Sequence, residues 1–303
     1  MSATDRGSFS SWPFWLRALG ALLAGGLTPL AFAPFDLWPL ALLMPALFWF
    51  SLKRQSAARC GWLGWLFGLG FYGVGTSWVY VSIHTYGNAS TLLAGLLTAA
   101  FVAGMALFSA AQGWMFGRLF GRTGARQWLG FVGLWVIWEW VRSWLLTGFP
   151  WLYLGYPLLD TPLAAWAPLG GVWLASLVAL LLGVGSVQLL LTPQPPSRRN
   201  ERILPAALIS LVLLVPLLLQ GAWTKPAGEP LRVGLVQGDI PQQLKWQRDL
   251  LPDILNRYMG LSMRLGDVDL LIWPETAIPA PWDAPNPISR PSCRRCPTTV
   301  PAL

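Results

Sequence analysis

Charge is what this chain has least of. Asp, Glu, Lys and Arg make up 11% of its 303 residues against 54% hydrophobic ones, where a soluble domain carries about a quarter charged residues. That balance excludes an ordinary soluble protein. Histidine is nearly absent: His84 is the only one. A Ser-His-Asp triad would have to use it, and no G-x-S-x-G elbow supplies the serine; His84 reads as an interfacial polar residue. H-E-x-x-H, EF-hand and P-loop patterns are missing too, so neither a metal nor a cofactor is expected. The three cysteines, Cys60, Cys293 and Cys296, form neither a disulfide framework nor a zinc spacing, and Cys60 reads as inert. A net charge of +8 invites a nucleic-acid reading. The Arg and Lys residues, however, fall in small clusters between apolar runs, which is the membrane pattern; no nucleic acid is expected as a partner.

What the chain has in abundance is apolar sequence. Seven runs of about spanning length precede Leu231: Phe14–Ala33, Leu37–Leu52, Gly61–Ile83, Thr91–Gly117, Trp128–Leu145, Leu163–Leu191 and Ile203–Gln220. The first resembles a signal peptide, with Arg6 and Arg17 ahead of it and a cleavage-like Ala31–Phe32–Ala33. Pro34 directly after that site, and another apolar run close behind, favour a retained span. Basic residues alternate between loops. Lys53, Arg54 and Arg59, then Arg118, Arg122 and Arg126, then Arg198, Arg199 and Arg202 occupy every second connection, and the others lack Lys and Arg. By the positive-inside rule the N-terminus is cytoplasmic and everything from Leu231 lies outside.

One outer connection, Thr147–Pro162 (TGFPWLYLGYPLLDTP), is rich in large apolar side chains, yet Gly148, Pro150, Gly155 and Pro157 forbid a plain helix. It fits an aromatic belt or a wall for acyl chains. Just before it, Glu139 and Arg142 stand three apart on one helix face, the spacing of an interfacial ion pair or of a lipid-phosphate contact.

Beyond the spans, Arg232–Val236 reads as a strand, Leu251–Leu265 as a helix with apolar residues at three- and four-residue intervals, and Leu270–Ile272 as a second strand. Pro274 ends that strand, and Glu275 follows at its mouth. Strand ends are where α/β proteins place their chemistry; the plain alternative is a turn with an exposed glutamate.

Val236–Gln237–Gly238–Asp239 and the Pro274–Glu275 pair resemble the start of a nitrilase-type (carbon–nitrogen hydrolase) domain, an α-β-β-α sandwich. IWPETAIP, Lys245–Trp246, the TGFPW loop and WEWVR resemble one branch of it, the apolipoprotein N-acyltransferase family. The likeness runs from about Phe14 to Trp282. It implies a multispan α-helical membrane protein (residues 1–225, about seven helices) followed by the first part of an extracytoplasmic nitrilase-like α/β domain (226–283), in a bacterial inner membrane. It also implies a reaction. A cysteine thiolate takes an acyl chain from a membrane phospholipid, and the α-amine of a diacylglyceryl-cysteine at an apolipoprotein N-terminus receives it. Glu275 then matches the catalytic base, Trp246 a residue of the acyl or substrate pocket, and Trp151 a residue facing that pocket from the membrane side.

The family's lysine and nucleophilic cysteine belong further along the domain. Here residues 284–303 turn to Pro, Arg, Ser and Thr without apolar period, an ending that reads as disordered or out of frame. No lysine follows Lys245, and Cys293 and Cys296 lack the strand-to-elbow setting of a nucleophile. The 303-residue chain by itself is expected to show no turnover. Two strands and a helix are also too little to bury a core well. The other class of function is a non-enzymatic multispan protein, a transporter or lipid-binding scaffold; paired broken helices or charges along several spans would mark transport, and neither is evident.

Overall fold

A computed structural model of the chain describes residues 12–121, 127–191, 200–219 and 223–280. Trp282, Cys293, Cys296 and the whole ending from 284 lie outside the described residues. The chain divides into two compact units, Met1–Trp223 and Thr224–Leu303.

The first unit is helical: α1 (Phe14–Leu27), α2 (Pro39–Leu52), α3 (Ala57–Gly75), the short α4 (Trp78–Val81), α5 (Thr91–Phe120), α6 (Gln127–Arg142), α7 (Ala167–Leu191) and α8 (Asn200–Leu218). All seven apolar runs contain helix, but of unequal length. Among the described residues three helices are long and apolar enough to cross a membrane, Phe14–Ala31, Thr91–Phe120 and Pro162–Leu190. A fourth is broken: Ala57–Gly75 and Trp78–Tyr86 meet at 54°. Helices suit this composition because a helix satisfies its own backbone where no water is available. Leucines such as Leu92, Leu96 and Leu107 face outward, as they do where the surroundings are lipid.

Between apolar surfaces in lipid there is little hydrophobic drive, so helices join where small residues let backbones approach. The α3–α5 seam is built this way, from GWLFG at Gly64–Gly68 and GWMFG at Gly113–Gly117. A Cβ on Gly64 would stand 2.2 Å from the Ser109 carbonyl oxygen, and one on Gly113 2.3 Å from that of Cys60. Pairing of early α3 with late α5 makes the two antiparallel. Beside the seam lies an aromatic core: Phe48 of α2 stacks on Phe67 of α3 at 4.3 Å, and Trp135 of α6 meets Phe67 and Phe131 at 5.7 Å each.

The second unit contains β1 (Val233–Leu235), the single turn α9 (Gln242–Lys245), α10 (Leu251–Arg264) and β2 (Leu270–Ile272). The strands are parallel, with Val233 opposite Leu270 and Leu235 opposite Ile272, so α10 is the crossover a parallel pair requires. Its apolar stripe supplies Ile254 and Tyr258 to a small core with Val236 and Ala277. Leu231, Val233, Leu235 and all of β2 remain exposed.

Candidate functional site

Glu275 sits at a corner. The Ala277 amide donates to the Pro274 carbonyl at 3.2 Å, closing a tight turn just past β2, and Thr276 holds a φ of 54° at its third position. That position favours glycine or asparagine, so threonine there is strained. Glu275, at the second position, projects from the strand end. Its side chain is exposed and has no hydrogen-bond partner among the described residues. A carboxylate so placed can accept a proton from a group brought to it.

Four contacts fix this corner. Lys245 Nζ donates to the Glu275 carbonyl at 3.0 Å, which ties the end of α9, with Trp246 directly after it, to the Glu275 turn. Trp246 itself is 60% exposed. Behind the turn, Trp273 stacks on Tyr258 at 5.3 Å and donates through Nε1 to Ser262 Oγ at 2.9 Å. The β1 exit, Gln237–Asp239, packs on the same tyrosine: a Cβ on Gly238 would fall 2.6 Å from the ring. Sequence reasoning found Glu275 and Trp246 but used Lys245 only as part of a motif. The spacing carries no sign that its ammonium reaches a residue thirty positions on.

Trp151 belongs to the first unit, in the connection between α6 and α7. Short 3₁₀ turns at Leu145–Thr147, Tyr156–Leu158 and Pro162–Trp166 replace a helix there, as the Gly and Pro content requires. The backbone is strained: Leu146, Thr147 and Leu152 have φ of 54°, 74° and 60°, each costing roughly 1–2 kcal/mol in an L-residue. Such conformations persist where the surroundings over-determine them, and α6 does this with the pair that sequence reasoning read as interfacial. Glu139 and Arg142 are buried, 4% and 3% exposed, and they do not form an ion pair with each other. Glu139 Oε1 accepts from the Leu154 amide at 2.9 Å and from Trp135 Nε1 at 3.0 Å. Arg142 donates to the carbonyls of Trp151 and Leu152, and its guanidinium lies 4.9 Å from the Tyr153 ring centre. The burial has a physical cause: a connection this irregular, packed on the bundle, must find partners for its backbone groups. Trp151 is thereby held outward, half exposed, with Phe149 at 5.2 Å and Trp78 at 6.1 Å. The three rings form an apolar ledge. His84 takes no part in either arrangement; its Nδ1 pairs with the Ala89 carbonyl at 2.8 Å. Cys60 is fully buried in the α3–α5 seam.

Comparison with known proteins adds the family. A family model described as the apolipoprotein N-acyltransferase N-terminal domain matches residues 24–185. Apolipoprotein N-acyltransferase from Pseudomonas syringae pv. tomato is 46% identical over 270 residues, 88% of this chain and 53% of that protein. The protein of the same name from Azotobacter vinelandii is 49% identical over 276 residues, 88% of this chain and 52% of the relative; that from Coxiella burnetii is 44% identical over 267, 87% and 54% respectively. The chain spans about half the length of the curated relatives it matches. A family model over more than half of the chain, and identity that continues past the helical bundle to cover nearly nine-tenths of it, lead to one assignment: the chain belongs to the apolipoprotein N-acyltransferase family.

Proposed function

We propose that this polypeptide forms the membrane bundle and the Glu275-bearing start of the catalytic unit of a phospholipid-dependent acyltransferase of lipoprotein maturation. A fatty acyl chain passes from a membrane phospholipid to the free α-amino group of a diacylglyceryl-cysteine at an apolipoprotein N-terminus. The supporting observation is the Glu275 corner, an exposed carboxylate at a strand exit whose backbone carbonyl accepts from Lys245, in a chain of this family. Glu275 acts as the base. It takes the proton of a thiol further along the domain as the thiolate attacks the acyl-ester carbonyl of the phospholipid, and returns that proton to the lysophospholipid oxygen that leaves, so that the acyl chain is held on sulfur as a thioester. It then takes the proton of the ammonium so that the amine can attack the thioester and release the thiol. Trp246 lines the acyl or substrate pocket, and the Trp151 ledge guides acyl chains at the membrane surface. Residues 1–225 cross the bacterial inner membrane seven times from a cytoplasmic N-terminus, and residues 226–283 begin a nitrilase-like domain on the outer side.

A chimera tests this: residues 1–280 joined to the remaining half of the Azotobacter vinelandii relative, assayed with phospholipid and a diacylglyceryl-cysteine peptide. The parent chimera transfers the acyl chain. Glu275→Gln keeps shape and hydrogen-bonding reach but cannot take the proton, and lowers transfer by about 10²–10⁴-fold, the usual range for a general base. Thioester formation at the parent rate in the Gln variant would remove Glu275 from that role.

A further inference from the structure

Between α3, α5 and α6 lies a second feature of the first unit, which the reaction above does not use. It is a cavity of about 20 Å³, walled by aromatic rings such as Phe67 and Trp135 and lined also by Gln112 from α5 and by Trp138 and Glu139 from α6. Three polar atoms of these last residues are shielded from solvent and have no hydrogen-bond partner among the described residues: Gln112 Nε2, Trp138 Nε1 and Glu139 Oε2. Gln112 and Glu139 are only 6% and 4% exposed. Ser176 of α7 faces the same carboxylate, yet its hydroxyl and Oε2 both stay without a partner at hydrogen-bond distance.

The other polar groups of the wall are engaged. Glu139 Oε1 accepts from the Leu154 amide and the Trp135 indole, and Arg142 donates to the carbonyls of Trp151 and Leu152. The Tyr72 hydroxyl has Ser109 beside it. A buried donor or acceptor left unmet bears its whole desolvation cost, and inside a bilayer no bulk water relieves it. Three such atoms around one small space therefore point to a ligand, and their chemistry says which. An indole N–H can only donate, and an ionised carboxylate oxygen can only accept. A metal cation would be turned toward the indole N–H, and an anion toward the carboxylate. Water both accepts and donates. The space suits a single molecule, for which ~10–15 Å³ is enough, and buried waters commonly make about three hydrogen bonds.

We propose that this cavity is a binding site for one water molecule, which accepts from Gln112 Nε2 and Trp138 Nε1 and donates to Glu139 Oε2. Through it α5 is hydrogen-bonded to the carboxylate whose other oxygen holds the Trp151 connection at Leu154. The site is a resident part of the bundle and stands apart from the Glu275 chemistry.

The full chain in mild detergent is irradiated with X-rays, and the hydroxyl labels that radiolysed water leaves on nearby side chains are read residue by residue by mass spectrometry. Phe67 and Phe116 are each 1% exposed, and Trp135 and Trp128 are 5% and 1% exposed, but only Phe67 and Trp135 line the cavity. Phe67 is labelled several-fold faster than Phe116, and Trp135 several-fold faster than Trp128. Equal rates within both pairs in the parent overturn the proposal, and this comparison needs no variant to fold. Gln112→Leu combined with Trp138→Phe removes both donors and brings the cavity residues down to the rates of their controls; labelling kept at the parent rate would overturn the assignment of these partners. Unfolding temperatures supply a second measurement. Gln112→Leu and Trp138→Phe each lower it, and in the double variant the second substitution costs less than it does alone, because the donor it removes has already lost its partner. Additive falls would mean that the two side chains share no ligand. An unfolding temperature that drops in the parent, and not in the double variant, when choline chloride replaces sodium chloride would give the site to a cation and overturn the proposal as well.

Discussion

Replacing Glu139 by alanine removes the acceptor shared by the Leu154 amide and the Trp135 indole, both buried. An orphaned buried donor costs about 1–3 kcal/mol, so Glu139→Ala should lower thermal stability in detergent clearly and expose the Thr147–Leu152 backbone to protease. Glu139→Gln keeps the accepting oxygen and should retain most of both. Equal losses in the two variants would mean that the charge, not the hydrogen bonds, holds the connection. At this scale the sequence was partly legible. It marked Glu139 and Arg142 as costly charges near a span end, because charge in an apolar run is conspicuous. It did not show their partners, because those are backbone groups, and a backbone amide has no letter. The same holds for Lys245, whose partner is the Glu275 carbonyl.

Along whole elements the α3–α5 seam is the sharpest case. Gly64→Leu puts a side chain into the Ser109 carbonyl and should separate the helices, with a large drop in the unfolding temperature. Gly104→Ala on the same α5, with nothing within 4 Å of its added Cβ, should match the parent or exceed it slightly, since alanine is the better helix former. If Gly104→Ala costs as much as Gly64→Leu, close backbone approach is not what holds this seam. Helices were legible from the apolar runs, and the β1–α10–β2 order from a change of period. The break after Gly75 was not. Apolar residues continue through Thr76 and Ser77 on both sides, so composition runs smoothly across a 54° bend. The Thr76 hydroxyl, buried and donating to the Tyr72 carbonyl at 2.7 Å, marks the place only in the folded chain.

For the whole molecule, alternating basic connections predict seven crossings. Reporter fusions after Arg126 and after Lys225 should read cytoplasmic and external respectively, and the same side for both would refute the arrangement. The leucines of β1 and β2 are exposed, and which residues would be so followed only from the parallel register. The buried ends of α6 carry a further consequence, for how the protein is made. Leu154 trails Glu139 by 15 residues, and ribosomes add ~5–20 residues per second. For about a second, then, α6 has left the ribosome with Glu139 and Arg142 in its last turns, before the Leu154 amide that donates to Glu139 and the Trp151 and Leu152 carbonyls that accept from Arg142 have followed. A charged residue at a helix centre costs roughly 2.5–3.5 kcal/mol in translocon-mediated insertion, and one near an end costs less. The insertion channel therefore has to shelter the end of α6 until Trp151–Leu154 emerges, which makes Gln127–Leu154 a single step of biogenesis.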